Sequence, residues 1–185
     1  MIDFFLLFDL PRRPLIDLDK LNEAFAQKNA GNQLGKPSDP VVLNEAFRVL
    51  TGTGSRLDHL LALESANLRD RAIGPELEQW FGRVARVLHR FDEIYYQLAQ
   101  ESLHLLRAAK LQLLQENLEE AEEISRGLNS LRESLMRELQ EIDDGWPKNR
   151  PEALPHLAQL ALNLTFTEKW LNELKERKLR FDELA

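Results

Sequence analysis

Few residues in this sequence have the types and spacing that chemistry needs, and the most suggestive are one Glu-x-x-His step. Glu101 and His104 are three positions apart, so on a helix their side chains share one face. Four-helix di-iron sites use two such steps together with two further carboxylates. The chain has no second Glu-x-x-His. A surface pair is therefore the simpler interpretation, and a helical-bundle metal enzyme using these two residues is kept as an alternative.

The other titratable and nucleophilic side chains form no known catalytic pattern. His89 and Asp92 are three apart and are predicted to make a surface contact. Ser55 and Ser102 have no histidine and acid arranged around them in a known motif. There is no P-loop, no Gly-x-Gly-x-x-Gly and no His-Glu-x-x-His. We predict that the protein is not an enzyme and has no catalytic, metal-binding or cofactor-binding residues and no cofactor.

Composition indicates a folded helical protein. Hydrophobic residues make up 43% of the 185 residues and charged residues 30%, and Leu, Glu, Ala and Arg outnumber Val and Ile. The formal charge of −7 argues against nucleic-acid binding through a basic surface, and the lack of cysteine excludes disulfides and thiolate metal sites. No stretch reads as a signal peptide or a membrane span, so we expect a cytoplasmic protein without a membrane partner.

Two helical patterns near the start are joined by a loop. Leu18, Leu21 and Phe25 recur at helical spacing, and residues 42–50 form a second pattern. The connection, residues 30–40, is rich in Gly, Pro, Asn and Ser. The expected structure is an antiparallel helical hairpin, with caps at Asp17 and Asp39 and with Pro40 in the first turn of the second helix. A short turn at residues 4–8 and a helix at 56–64 are expected to close it, which completes a first unit at residues 1–70.

The rest of the chain, residues 71–185, predicts three long helices. The first begins at Pro75, and its apolar spacing continues through Leu105 and Leu106 toward Leu114. The second is expected at about 118–142, a loop at 143–151, and the third at about 152–183. Helices of this length with short connections favour an antiparallel three-helix bundle. The predicted fold class is all-α.

Four short motifs, in order along the chain, resemble one family. They are Asp3-Phe4-Phe5-x-Leu7-Phe8-x-Leu10-Pro11, then Leu43-Asn44-x-Ala46-Phe47-x-x-Leu50, then Arg56-x-Asp58-x-Leu60-Leu61-x-Leu63, then Leu164-Thr165-Phe166-Thr167-Glu168-Lys169. Their order and spacing resemble the HscB type of J-domain co-chaperone, which serves iron–sulfur cluster assembly. The resemblance covers most of the chain. It implies a J-domain-like hairpin unit followed by a C-terminal three-helix domain that binds the cluster scaffold protein.

The chain departs from that family where a J-domain acts on its chaperone. Family members carry His-Pro-Asp in the hairpin loop, and here Gln33, Leu34 and Gly35 occupy that place. The helix before the loop is basic in the family, whereas residues 18–29 hold two lysines against two acids. The resemblance therefore implies a degenerate J-domain shape without stimulation of a DnaK- or HscA-type ATPase.

The family's scaffold-binding patch maps onto Leu77, Trp80 and Phe166 in this sequence. Glu76 stands where the family has an apolar residue. Trp is the residue type most enriched at binding hot spots, which favours Trp80, although its helical stripe also fits a core position. The expected partner is a protein client, with an iron–sulfur scaffold as the specific version. A co-chaperone with atypical chaperone docking, and a homodimer formed through a leftover apolar stripe, stay as alternatives.

Overall fold

The computed structural model describes residues 1–33, 39–64, 73–100 and 104–182 of the chain. Every regular element within these ranges is a helix, which confirms the all-α prediction. The six helices are α1 (Phe4–Leu7), α2 (Leu18–Gln33), α3 (Pro40–Thr51), α4 (Thr53–Leu63), α5 (Pro75–Gln100) and α6 (His104–Asp182).

The chain forms two compact units that are not simple halves of the sequence. Unit 1 consists of residues 1–72 and 135–165, and unit 2 of residues 73–134 and 166–185. Helix α6 therefore supplies its middle part to unit 1 and its two outer parts to unit 2. This grouping differs from the division after residue 70 that the sequence predicts.

The starts of the helices in unit 1 follow from side-chain caps. The Asp3 carboxylate accepts from the amides of Phe5 and Leu6 and begins α1, despite the shortness of that helix. Asp17 accepts from the amides of Asp19 and Lys20 at the start of α2, as predicted. Asp39 accepts from the Val41 amide at 2.9 Å, and Pro40 occupies the first turn of α3, also as predicted. Each cap satisfies backbone donors that the helix itself leaves unpaired.

Aromatic packing joins the two helices of the α2–α3 hairpin to each other and to the end of α1. Phe25 of α2 stacks on Phe47 of α3 with ring centroids 4.2 Å apart, and Phe8 contacts Phe25. Helix α4 begins at Thr53, three residues before the predicted start, because the Ser55 hydroxyl donates to the Val49 and Gly52 carbonyls and closes the break to a single residue.

The N-terminal turn packs on a buried histidine of α4. The His59 ring is only 8% exposed and stacks on Phe4 with centroids 4.4 Å apart. Its Nε2 accepts a hydrogen bond from the Phe4 amide at 3.1 Å. An acceptor at Nε2 requires the neutral imidazole.

Residues 12–15 are bound to the middle of α6 within unit 1. The Asp143 carboxylate, 4% exposed as a residue, accepts from the Arg13 guanidinium at 2.5 Å and from the Leu15 amide at 3.0 Å. Trp146 is fully buried and donates through its indole N–H to the Arg12 carbonyl. These contacts explain why residues 135–165 belong to unit 1.

The prediction of a loop at residues 143–151 is wrong. This stretch is helical except at Asn149, whose φ of −128° and ψ of 35° break α6. The chain reverses there, since His156 lies 3.2 Å from Glu138. Pro147 cannot donate to the Asp143 carbonyl, but Arg13 Nη2 does so instead at 3.0 Å. Pro151 falls in the first turn after the break, where its missing N–H costs nothing.

Unit 2 is a bundle of α5 with the two outer parts of α6. Arg83 pairs with Glu123 and Arg90 with Glu120, so residues 104–134 run antiparallel to α5. The ring contact between Phe91 and Phe181 places residues 166–182 on the same α5. All three segments share one apolar core.

The predicted continuation of the first long helix through Leu105 to Leu114 is also wrong. Helix α5 ends at Gln100, and α6 begins at His104, well before the predicted start at residue 118. Leu98 of α5 and Leu114 of α6 both lie in the core of unit 2. No Gly or Pro interrupts the apolar pattern between Leu98 and Leu114, so the sequence does not indicate that α5 ends at Gln100.

We expect Asp143→Asn to destabilise the protein by about 1–3 kcal/mol, because the charge-assisted bonds from Arg13 weaken while the side-chain volume is kept. The measurement is the free energy of unfolding in urea. The neighbouring Asp144 is exposed and accepts a hydrogen bond from the Gln140 amide at 2.9 Å, so Asp144→Asn serves as the control. Its expected effect is within about 0.5 kcal/mol. Equal losses in the two variants would contradict this account of Asp143.

We expect unit 1 to lose stability as the pH falls below about 6.5, the ordinary pKa of histidine. Burial lowers the pKa of His59, an effect that Arg12 increases and Asp3 opposes. The unfolded chain therefore takes up the proton first, and the stabilisation present above pH 6.5 is lost on acidification. Unfolding in urea at about pH 7.5 and about pH 5.5 measures it.

His59→Phe is the matched variant for this pH test, since it keeps a stacked ring on Phe4 but cannot be protonated. Its stability should fall less between the two pH values than that of the wild type. An unchanged difference would show that other groups cause the acid sensitivity.

Candidate functional site

The candidate binding residues of α5 point in different directions because of helical geometry. Successive residues of an α-helix are about 100° apart, so Trp80 and Phe81 lie on either side of the direction of Leu77. Leu77 is 0% exposed and lies in the core of unit 2. Trp80 and Phe81 are partly buried and pack at the edges of that core.

Trp80 packs on the backbone of α6 at a glycine. A Cβ atom at Gly127 would overlap Cη2 of the indole, so only glycine leaves room for this approach. The Arg83 guanidinium lies 5.4 Å from the centroid of the Trp80 ring and also pairs with Glu123 at 2.8 Å. The φ/ψ angles of Gly127 are helical, so this glycine serves close packing without breaking α6.

Phe166 belongs to a cluster of three aromatic side chains. Its ring centroid is 5.4 Å from Phe81 and 5.7 Å from Trp170, and Phe81 meets Trp170 edge-on at 4.7 Å. Phe166 is only partly buried, whereas Trp170 is 6% exposed. The cluster therefore presents part of Phe166 and Phe81 outside a well-packed aromatic base.

The structure brings Leu77, Trp80 and Phe166 to one hydrophobic core but gives them different surroundings. Trp80 contacts residues 104–134, while Phe166 contacts α5 through Phe81. Sequence reasoning missed Phe81 and Trp170. Both could have been found, because each lies four residues after a predicted site residue, at the spacing of neighbours on one helical face.

The other sequence-predicted residues carry no described site. Gln33 is the last residue of α2, while Leu34 and Gly35 lie outside the described residues, as does Glu101. His89 contacts Glu93 at 3.3 Å, so the predicted contact with Asp92 is wrong. Asp92 instead accepts from Arg177 at 3.1 Å. Across the described part of the chain, no three His, Asp or Glu side chains are placed to hold a metal ion.

No protein-family model matches the chain, and no curated protein matches it. Among the helices of the described ranges, none has both the length and the apolar character to cross a bilayer.

We expect Gly127→Ala to destabilise the protein by about 1–3 kcal/mol, because the added methyl must displace the Trp80 ring. Gly82→Ala in α5 is the control, since a Cβ there meets nothing within 4 Å. That change should stabilise by about 0.5–1 kcal/mol through helix propensity alone. Thermal and urea unfolding of both variants give the comparison. Stabilisation by Gly127→Ala would mean that Trp80 does not rest on this glycine.

Proposed function

We propose that the protein is a non-catalytic, protein-binding relative of HscB-type co-chaperones. It binds a client, an iron–sulfur scaffold protein in the specific version, through unit 2. It does not stimulate the ATPase of a DnaK- or HscA-type chaperone.

The packing of unit 1 supports a J-domain-like origin. Helices α2 and α3 pack together through the stacked Phe25 and Phe47. Helices α1 and α4 both pack on α3. A hairpin closed by a short N-terminal helix and a following helix is what the family resemblance implies for the first unit.

The main support for a lack of chaperone stimulation is that α2 has no excess of positive charge up to Asn29. Lys20 lies 3.5 Å from Asp17, and Lys28 lies 3.1 Å from Asp9. Exposed pairs of this kind contribute at most about 1 kcal/mol, so a chaperone could break them. Breaking these pairs would still not give α2 a net positive charge, because residues 18–29 hold as many acids as lysines. The His-Pro-Asp trigger is also missing from the sequence that follows.

Partial exposure of Trp80 and Phe166 supports client binding by unit 2. Aromatic side chains at the edge of a packed core offer large apolar contact at low entropic cost. Leu77 has no exposed surface and is assigned a supporting role under the other two. Arg83 over the Trp80 ring and Glu123 beside it would give the apolar contact a polar rim.

The ATPase part of this proposal is tested with a DnaK-type chaperone of the same host. We expect the protein to leave single-turnover ATP hydrolysis unchanged, while a co-chaperone with His-Pro-Asp stimulates it. The missing trigger and the lack of a net positive charge on α2 are the physical reasons. Clear stimulation by this chain would overturn the proposal in favour of atypical docking.

The client-binding part is tested by titrating the purified scaffold protein against wild type, Trp80→Ala and Phe166→Ala. Loss of a hot-spot aromatic costs about 2 kcal/mol or more, so affinity should fall at least about thirtyfold. Tyr96 is 65% exposed in the same unit and provides the control Tyr96→Ala. Circular dichroism must first show that each variant is folded. Equal affinity in all four proteins would remove Trp80 and Phe166 from the binding surface.

A further inference from the structure

A basic groove lies between the two parts of α6 that belong to unit 2. It has a volume of about 380 Å3 and runs between residues 125–132 and residues 171–179. Its lining residues are Ser125, Asn129, Arg132, Leu171, Asn172, Lys175, Lys178 and Leu179. The residues that contact Trp80 and Phe166, namely Gly127, Arg83, Phe81 and Trp170, do not line the groove. The groove is therefore separate from the proposed client surface.

The charge of this groove is opposite to that of the protein. The chain has a formal charge of −7, yet the lining holds three cations and no carboxylate. Lys178 pairs with Glu122 at 3.1 Å. Arg132 and Lys175 make no ion pair with any residue that the structure describes. Two positive charges are thus available to an anionic partner.

The spacing of the lining residues fits a helix. Ser125, Asn129 and Arg132 follow one another at i, i+4 and i+7, and Leu171, Lys175 and Lys178 do the same on the facing segment. Two turns of helix span about 10 Å. Carboxylates at i, i+4 and i+7 of an incoming helix would cover the same length and lie on one of its faces.

Two leucines line the groove beside the cations. Leu171 packs partly on the core, and Leu179 is 51% exposed at the other end of the groove. The amides of Asn129 and Asn172 and the Ser125 hydroxyl supply neutral hydrogen-bonding groups between them. A partner helix that carried leucines next to its acidic stripe would meet both kinds of surface.

We propose that this groove binds an acidic amphipathic helix of a partner protein. Arg132, Lys175 and Lys178 pair with its carboxylates, and Leu171 and Leu179 take its apolar side chains. The interaction uses residues outside the proposed client surface, so it holds or fails independently of the proposed function.

The test is fluorescence anisotropy of a labelled synthetic helix with Glu at i, i+4 and i+7 and Leu beside them, added to the full chain. We expect binding at about 0.02 M salt that weakens at least tenfold at about 0.3 M salt, because exposed ion pairs are screened. The double variant Arg132→Gln/Lys175→Gln should weaken it at least tenfold at low salt. The control is Arg107→Gln/Lys169→Gln, which removes two exposed cations of unit 2 outside the groove and should change affinity less than twofold.

Four outcomes would overturn the proposal. The first is equal binding of a peptide with Lys in place of Glu. The second is unchanged binding of the acidic peptide by the groove variant. The third is displacement of the acidic peptide by inorganic phosphate at matched ionic strength, which would make the groove a site for small anions. The fourth is a salt-sensitive dimer of the free protein that the groove variant abolishes in sedimentation, which would make a second copy the occupant.

Discussion

Asp143 is the acceptor on which the construction of unit 1 depends. It joins two stretches that are about 130 residues apart in sequence. Its carboxylate accepts hydrogen bonds from the Arg13 guanidinium and the Leu15 amide, and its backbone carbonyl accepts another from Arg13. A carboxylate that is nearly excluded from water is costly unless several donors satisfy it. Here the donors come from one arginine and one amide, so residues 12–15 are held in one position against α6.

The same contact resolves the conflict between Pro147 and helical structure. Proline removes the donor that the Asp143 carbonyl would receive in an ordinary helix, and Arg13 replaces it. Trp146, one residue earlier, is buried and bonded to the Arg12 carbonyl. Tertiary contacts thus keep helical a stretch whose own composition favours a loop, and the break is confined to Asn149.

In unit 2 the organising contacts are apolar and depend on close approach. Gly127 lets the Trp80 ring reach the backbone of α6, and Phe81 links α5 to Phe166 and Trp170. Exposed ion pairs such as Arg90 with Glu120 lie outside this core and contribute little to its stability. Such pairs favour one alignment of α5 against residues 104–134, so they affect how the two helices are aligned more than how stable the bundle is. In the basic groove along residues 125–132 and 171–179, Lys178 pairs with Glu122, whereas Arg132 and Lys175 make no ion pair with a described residue.

The sequence by itself determined the local parts of this protein. The all-α class, the caps Asp17 and Asp39, and Pro40 and Pro75 in first turns all follow from rules that act within one helical turn. The candidate residues Leu77, Trp80 and Phe166 could be named from motif and spacing, but their burial could not, since it depends on which segments face α5. Only the tertiary structure decided that α5 ends at Gln100, that residues 143–148 stay helical, and that Phe81 and Trp170 complete the Phe166 cluster. Periodicity reports which face of a helix is apolar, whereas the place where a chain reverses and the partner that each face meets are set by contacts between residues far apart in sequence.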